Sequence, residues 1–265
     1  MDKNSSAKEY GKNRISVVIN TYNAARFLRE VLEAVKGFDE VVICDMESTD
    51  DTLSIAEEFK CRIVHFPKGN HVCAEPARTF AIQSASNPWV LVVDADEIVT
   101  PGLKEELYDY IRRPDCPQGL YIPRQNRFMN VLEKKKNGDW QLRFFIRKGT
   151  TWPPYVHTFP TVQGRVERLR ASRPDALFIH LAENYIGQRL AKINQYSDGE
   201  VEKKAGRHYG VGALVWRPTW RFFQAYFLKG GIRNGLPGLI SSLLEGFYQV
   251  VLVSKIIETK YRNRK

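Results

Sequence analysis

Short apolar runs, each closed by a polar or acidic residue, set the rhythm of the first 112 residues. Ile15-Ser16-Val17-Val18-Ile19 stops at the polar turn Asn20-Thr21-Tyr22-Asn23, and Val41-Val42-Ile43-Cys44 stops at Asp45. Arg62-Ile63-Val64-His65 makes a third run, and Trp89 to Val93 a fourth, closed by Asp94. Between them the period changes. Phe27, Leu28, Val31, Leu32 and Val35 recur at helical spacing between Ala24 and Lys36, and Gly37 marks the stop. Ser48-Thr49-Asp50-Asp51 can cap a helix running to about Phe59. A further helix is expected from about Glu75 to Ser86, with Pro76 tolerated in its first turn. Thr100-Pro101 makes an N-cap and N1 pair for another, ending near Arg112. Four alternations of strand and helix predict an α/β chain with an open, mostly parallel sheet and helices on both faces.

In such sheets ligands bind at the carboxyl ends of the strands, where strand order reverses. That rim would collect the turn Thr21-Tyr22-Asn23, Asp45, and the stretch after the fourth strand, Val90 to Thr100 or VLVVDADEIVT. Four consecutive apolar residues there read as a strand buried on both faces. Asp94, Asp96 and Glu97 at its end would repel one another without a cation, and Mg²⁺ or Mn²⁺ held by one or two carboxylates would suit them. An Asp-x-Asp triplet by itself is weak; its address at a strand end gives it weight. The turn after the first strand is no G-x-G-x-x-G, and no G-x-x-x-x-G-K-[ST] occurs, which disfavours a dinucleotide dehydrogenase or a P-loop enzyme. Asp45 accepting from a nucleobase or ribose, with a metal-bound diphosphate at the fourth strand, points to a nucleoside diphosphate carrying a further group.

Charge changes the picture at the other end. The net charge is +10, yet residues 203–265 carry 12 Lys/Arg against 2 Asp/Glu, which leaves 28 of each before them. An anionic partner for the tail is implied. The tail interleaves bases with Trp216, Trp220, Phe222, Phe223, Tyr226 and Phe227, and Leu236, Leu239, Ile240, Leu243, Leu244, Phe247, Val250 and Val251 then recur at helical spacing. Gly235 to Ser254 holds a single charge, Glu245, and approaches the length of a bilayer span. Glu245 near its middle and Pro237 near its start favour an amphipathic helix lying on an anionic membrane surface; a hairpin packed on the rest of the chain or in a dimer is the plainer alternative. Nucleic-acid binding is disfavoured by the number of apolar residues and the lack of a recognised motif. No apolar signal segment occurs in the first 14 residues, and Cys44, Cys61, Cys73 and Cys116 lack metal or CxxC spacing, so reduced thiols in the cytoplasm are expected.

The stretches SVVINTYNAARFLREVLEAV, VVICDMESTDDTLSIAEEF, PWVLVVDADEIVTPGLKEEL and DWQLRFF, with the tail from Arg217 to Glu258, resemble family-2 glycosyltransferases of the GT-A fold. The subgroup most resembled is the lipopolysaccharide-core β-glucosyltransferases. The resemblance implies a GT-A domain over residues 14–200, with a nucleotide-sugar half (14–112) and an acceptor half (113–200). A disordered arm (1–13) would precede it and a helical membrane-association region (201–265) would follow. It implies inverting transfer of a sugar, such as glucose from a UDP-sugar, to a hydroxyl of a lipid-linked glycan at the cytoplasmic face of the inner membrane. Thr21, Tyr22, Asn23, Asp45, Arg78, Asp94 and Glu97 would bind the nucleotide sugar. Asp94, Asp96 and His157 would hold Mg²⁺ or Mn²⁺. Carried over from a D-x-Q-x-R stretch, Asp139 would be the general base, with Gln141 and Arg143 on the acceptor and diphosphate side. The chain departs from the family pattern at Thr158, where a glutamate is usual, at Thr79 for asparagine, and at Met46-Glu47 for small residues. His180 also matches a family histidine and ranks below His157. The alternatives are a metal-dependent nucleotidyl- or phosphotransferase built on the same aspartate rim, or a non-catalytic basic protein that binds nucleic acid or membrane.

Overall fold

The computed structural model describes residues 13–71, 73–129, 131–133, 138–155, 158–181, 185–204 and 209–262. The chain divides into two compact units, one formed by the chain to Arg124 with Asp139–Leu181, the other by Gln125–Gly138 with the chain after Leu181. His157, a proposed metal ligand, lies outside the described residues.

The first unit is built on β1 (Ile15–Thr21), β2 (Glu40–Asp45), β3 (Arg62–His65) and β4 (Trp89–Asp94), all parallel, in the order β3-β2-β1-β4. α1 (Ala25–Ala34), α2 (Thr52–Glu58) and α3 (Glu75–Ser84) make the crossovers, and α4 (Pro101–Ile111) follows. Each of these elements was expected from the apolar pattern, to within about two residues at the ends. Every residue of β1 is buried, as are Trp89 to Val93 of β4. Alternation along the strands splits their side chains between two cores. Val17, Ile19, Leu91 and Val93 pack with Leu28 and Val31 of α1 and Leu103 and Leu107 of α4. Val18, Val42, Val90 and Val92 pack with Ala77, Ala81 and Ile82 of α3. The two apolar layers explain why these strands read as unbroken hydrophobic runs.

Beyond β4 the sheet turns antiparallel. β8 (Asp139–Ile146) pairs with β4, β6 (Gly119–Phe128) pairs with β8, and β10 (Phe178–His180) and β5 (Glu97–Val99) complete the order. β9 (Val166–Arg168) runs parallel beside the start of β6. The sequence placed no strand at β5 or β10. Three residues are too few to show a period, and what defines them is their pairing, Phe178 with Val99 and His180 with Glu97. The stretch from Gln125 continues β6 to Phe128, turns at Met129 (φ +50°) and pairs Arg127 with Leu132 of β7 (Val131–Leu132).

Apart from the hairpin of the β6 end with β7, the second unit is helical: α5 (Ile186–Lys203), α6 (Ala213–Phe223), a π-turn (Gln224–Leu228), a 3₁₀ turn (Gly231–Asn234) and α7 (Gly235–Arg262). α7 packs against both α5 and α6. Lys255 of α7 donates to Asp198 at 2.6 Å and to the Asn194 carbonyl at 2.9 Å on α5. Contacts therefore group α5 with the tail helices, although residues up to 200 were counted by sequence position with the catalytic part.

Candidate active site

Register brings the rim together. Thr21 is paired with Asp45 and Asn20 with Asp94, so the carboxyl ends of β2, β1 and β4 meet where the strand order reverses. A cleft of about 680 Å³ opens there, lined by Asn20 to Ala24, Arg26, Phe27, Met46, Lys68, His71 and the Asp94-Ala95-Asp96 turn, among others. That volume suits a nucleotide-sized ligand. Asn20 is buried, and neither polar atom of its side chain has a hydrogen-bond partner among the described residues. A buried amide with nothing to bond is costly, so a cleft wall built this way is made for a polar guest. Lys68 holds its ammonium 4.5 Å above the Tyr22 ring.

Of the sequence-named residues, Thr21, Tyr22, Asn23, Asp94 and Asp96 line this cleft. Asp45 does not. It is fully buried and accepts from the Thr21 hydroxyl (2.9 Å), the Ser48 hydroxyl (2.6 Å) and the Ser48 amide (2.9 Å). Its work is to tie the two rim turns together. Asn23, in the left-handed region at φ +49°, accepts from the Thr49 amide at 2.8 Å and adds to the same stitching.

Asp94 is also committed. Arg78 donates to its Oδ1 at 2.8 Å and Arg143 to its Oδ2 at 2.6 Å, both from nearly buried guanidiniums. Arg143 was expected to face a phosphate or the acceptor; in this structure it faces Asp94. Both guanidiniums lie over the Trp152 ring, at 4.6 and 5.2 Å. Burial works against the Asp94 charge, but Arg143 and Arg78 outweigh it and hold the carboxyl well below the ordinary carboxylate range. Glu97 goes the other way: burial first, then the Asp94 charge, push it above its ordinary value. Glu97 accepts from the Asp94 amide at 3.1 Å and from Arg124 at 2.9 Å. Arg124 also donates to Asp139, at 3.0 Å from Nε, and Gln141 donates to the other Asp139 oxygen at 2.8 Å. A chain of contacts thus runs from the turn after β4 through Glu97 and Arg124 to Asp139.

Asp96 is the more open of the aspartate pair. Its Oδ2 lies 3.2 Å from His180 Nε2, and its carbonyl accepts from the Leu181 amide at 2.7 Å. Among the described residues no group of three or more His, Cys, Asp or Glu is arranged around a metal position. A hard cation that keeps waters and takes phosphate oxygens needs fewer protein donors than that. The open Asp96 carboxylate on the cleft, with an imidazole beside it, fits such an ion, while Asp94 has its charge balanced by arginine.

Two participants escaped the sequence reading, and a third was ranked too low. Arg124 stands opposite Asp139 in the β6–β8 register, a pairing that only the antiparallel sheet creates. Trp152 comes from the segment after β8. His180 was ranked behind His157, and the short pairing of β10 with β5 is what brings it to Asp96.

The model of the family "Glycosyl transferase family 2" matches residues 16–173, more than half of the chain. The chain belongs to glycosyl transferase family 2. Its fold is the GT-A arrangement, with the aspartate pair after the fourth strand at the mouth of the cleft. It is similar to an uncharacterized glycosyltransferase of Rickettsia conorii, 27% identical over 95% of this chain and 92% of that one. It is also similar to the lipopolysaccharide core biosynthesis glycosyltransferase LpsC of Rhizobium meliloti, 26% identical over 92% of each. Among solved structures, S. aureus TarS 1–349 in complex with UDP is 14% identical, with a TM-score of 0.49, over 95% of this chain and 92% of that one. For this family-2 glycosyltransferase the cleft at the β1/β4 switch point is the candidate donor site.

Proposed function

We propose that this glycosyltransferase moves a hexose from a UDP-sugar, with inversion, to a hydroxyl of a lipid-linked glycan of the lipopolysaccharide-core type at the cytoplasmic face of the inner membrane. The observation that carries the donor reading is the cleft itself: a partnerless buried Asn20, the Tyr22–Lys68 wall and the open Asp96 meet at one strand-order reversal. The whole-length likeness to LpsC supports the acceptor class.

Thr21, Tyr22 and Asn23 would seat the nucleoside, with Asp45 fixing the turn beneath them. Asp96, with His180 beside it, would hold Mg²⁺ or Mn²⁺, which supplies charge neutralisation for the departing diphosphate. Asp94 keeps Arg78 and Arg143 turned toward its own carboxylate, which leaves Asp96 as the carboxylate of the pair that would meet the ion. Asp139 would accept the acceptor proton, its carboxylate oriented by Arg124 and Gln141. Thr158 cannot share that work; its hydroxyl donates to the Tyr155 carbonyl at 2.6 Å. A single displacement by the acceptor oxygen makes a β-linked product from an α-linked donor.

The test is a panel of nucleotide sugars scored by thermal shift with and without Mn²⁺, followed by NMR of the product's anomeric proton. A Mn²⁺-dependent shift with UDP-sugars and a β-linked product are expected. Retention of configuration, or preference for a non-nucleotide phosphosugar, refutes the reading.

A further inference from the structure

The second unit carries a surface that transfer chemistry does not use. α6 has no buried residue at all. Trp216, Trp220, Phe223 and Phe227 stand at spacings of four, three and four residues, so α6 and the π-turn present them as one stripe. Successive rings lie 5.9, 5.8 and 5.0 Å apart. All four are exposed, Trp216 at 66%. Val215, Leu228, Ile232 and Leu236 extend the apolar exposure along the chain. Scattered exposed apolar residues need no explanation, but a continuous aromatic stripe does.

The opposite side of α6 and the 3₁₀ turn after it pack closely on α7. Gly238, Ser242 and Gly246 recur every fourth residue along α7 and are buried. A Cβ on Gly246 would lie 3.1 Å from the Pro218 carbonyl, and one on Gly238 1.9 Å from the Gly231 carbonyl. Small residues at this spacing let two helices approach backbone to backbone, the packing used where lipid is the solvent. The hairpin is thus joined along a small-residue seam and leaves its large apolar groups outside.

We infer that the α6–π-turn stripe docks this protein in the plane of an anionic lipid leaflet, Trp216, Trp220, Phe223 and Phe227 entering the interface. The inference rests on the lipid-linked acceptor reading for its purpose only. Charge selects the occupant. Residues 203–265 hold 12 Lys/Arg against 2 Asp/Glu, and exposed Lys229 and Arg233 follow directly on the stripe. Bases flanking aromatics are the signature of an interfacial helix facing anionic headgroups.

The hairpin lies on the leaflet and does not cross it. α7 is long and apolar enough to span a membrane. Its middle, however, is engaged by three arginines: Arg189 donates to Ser241 (2.7 Å), Arg221 to Glu245 (2.8 Å) and Arg217 to Gln249 (3.1 Å). A span would carry those guanidiniums into hydrocarbon, where charged groups are strongly disfavoured.

The full chain, without donor or acceptor, is floated with phosphatidylcholine vesicles with and without phosphatidylglycerol, and its tryptophan fluorescence is read with lipids brominated near the headgroup or near the chain end. Binding that requires the anionic lipid, weakens with salt and shows stronger quenching by the shallow bromines is expected. Phe223→Asp/Phe227→Asp should lower vesicle affinity by about tenfold or more with an unchanged thermal melt. Lys229→Glu/Arg233→Glu should remove the preference for anionic lipid. Equal binding by wild type and the aspartate variant, or no binding, overturns the inference. Stronger quenching by the deep bromines overturns the in-plane placement, and a lipid-free dimer that shields Trp216 assigns the stripe to a second copy. Because no sugar donor is present, these outcomes leave the transferase reading untouched, and failure of the donor panel leaves vesicle binding untouched.

Discussion

Replacing Asp94 with alanine probes a buried cluster of charges in the first unit. Among the described residues the carboxylate is the one acceptor that Arg78 and Arg143 share, and Nε and Nη1 of both arginines are buried with no partner there. Asp94→Ala therefore strands two guanidiniums whose side chains are 7% exposed. Removing one partner of a buried pair costs about 3–5 kcal/mol. The Trp152 face, 4.6 and 5.2 Å away, retains part of the stabilisation, on the order of 0.5–2 kcal/mol per contact. Asp94 itself is a quarter exposed, so water can enter the gap. A net loss of about 3 kcal/mol follows, or a fall in Tm of roughly 6–12 °C at about 2–4 °C per kcal/mol for a chain of this size. Arg143→Met should cost only about 1 kcal/mol, because Asp94 keeps Arg78 and one buried charge disappears. Urea and thermal melts of both variants and the double variant check the order. Asp94 titrates below its unfolded value in the folded state, so its contribution is present above about pH 4 and is lost as pH falls through the folded value. The gap between wild type and Asp94→Ala should narrow on acidification. A melt within 2 °C of wild type at neutral pH, on the order of measurement scatter, or an equal loss for Arg143→Met, would refute the reasoning.

Asp96→Ala should abolish the Mn²⁺-dependent part of donor stabilisation and leave the fold intact, since its side chain faces the cleft; an undiminished Mn²⁺ shift in thermal melts would move the ion elsewhere. Asp139→Asn should cut turnover by about a hundredfold or more while donor affinity, measured by calorimetry, stays within a few-fold. Loss of donor binding in that variant would show that the Arg124 link to Glu97 matters more than proton transfer. Burial pushes the Cys44 thiol up to about 12 and the Cys61 thiol up to about 11, so at pH 8 both should resist alkylation until the protein unfolds, as read by mass spectrometry.

The βα half of the sheet was legible in the chain because its signals are local. Apolar runs of four or five residues stay buried on both faces of a parallel sheet, and a polar residue must follow where each strand reaches solvent. That is enough to find β1 to β4, the helices between them and the rim residues Thr21 to Asn23, Asp94 and Asp96. Thr100 capping α4 through the Leu103 amide was equally local.

What each charged residue does was decided only by tertiary structure. Asp45 and Asp94 look alike in the sequence, an acidic residue closing an apolar strand. One is sealed beneath a turn by Thr21 and Ser48, the other is gripped by arginines from α3 and β8. Arg78 precedes Asp94 by 16 residues and Arg143 follows it by 49, so no spacing rule joins them. The same holds for Arg124 with Asp139 and for His180 with Asp96, where antiparallel strands appended to a parallel sheet set the distances. Strands announce themselves by burial along the chain, but the balance of a buried charge depends on which strands lie side by side.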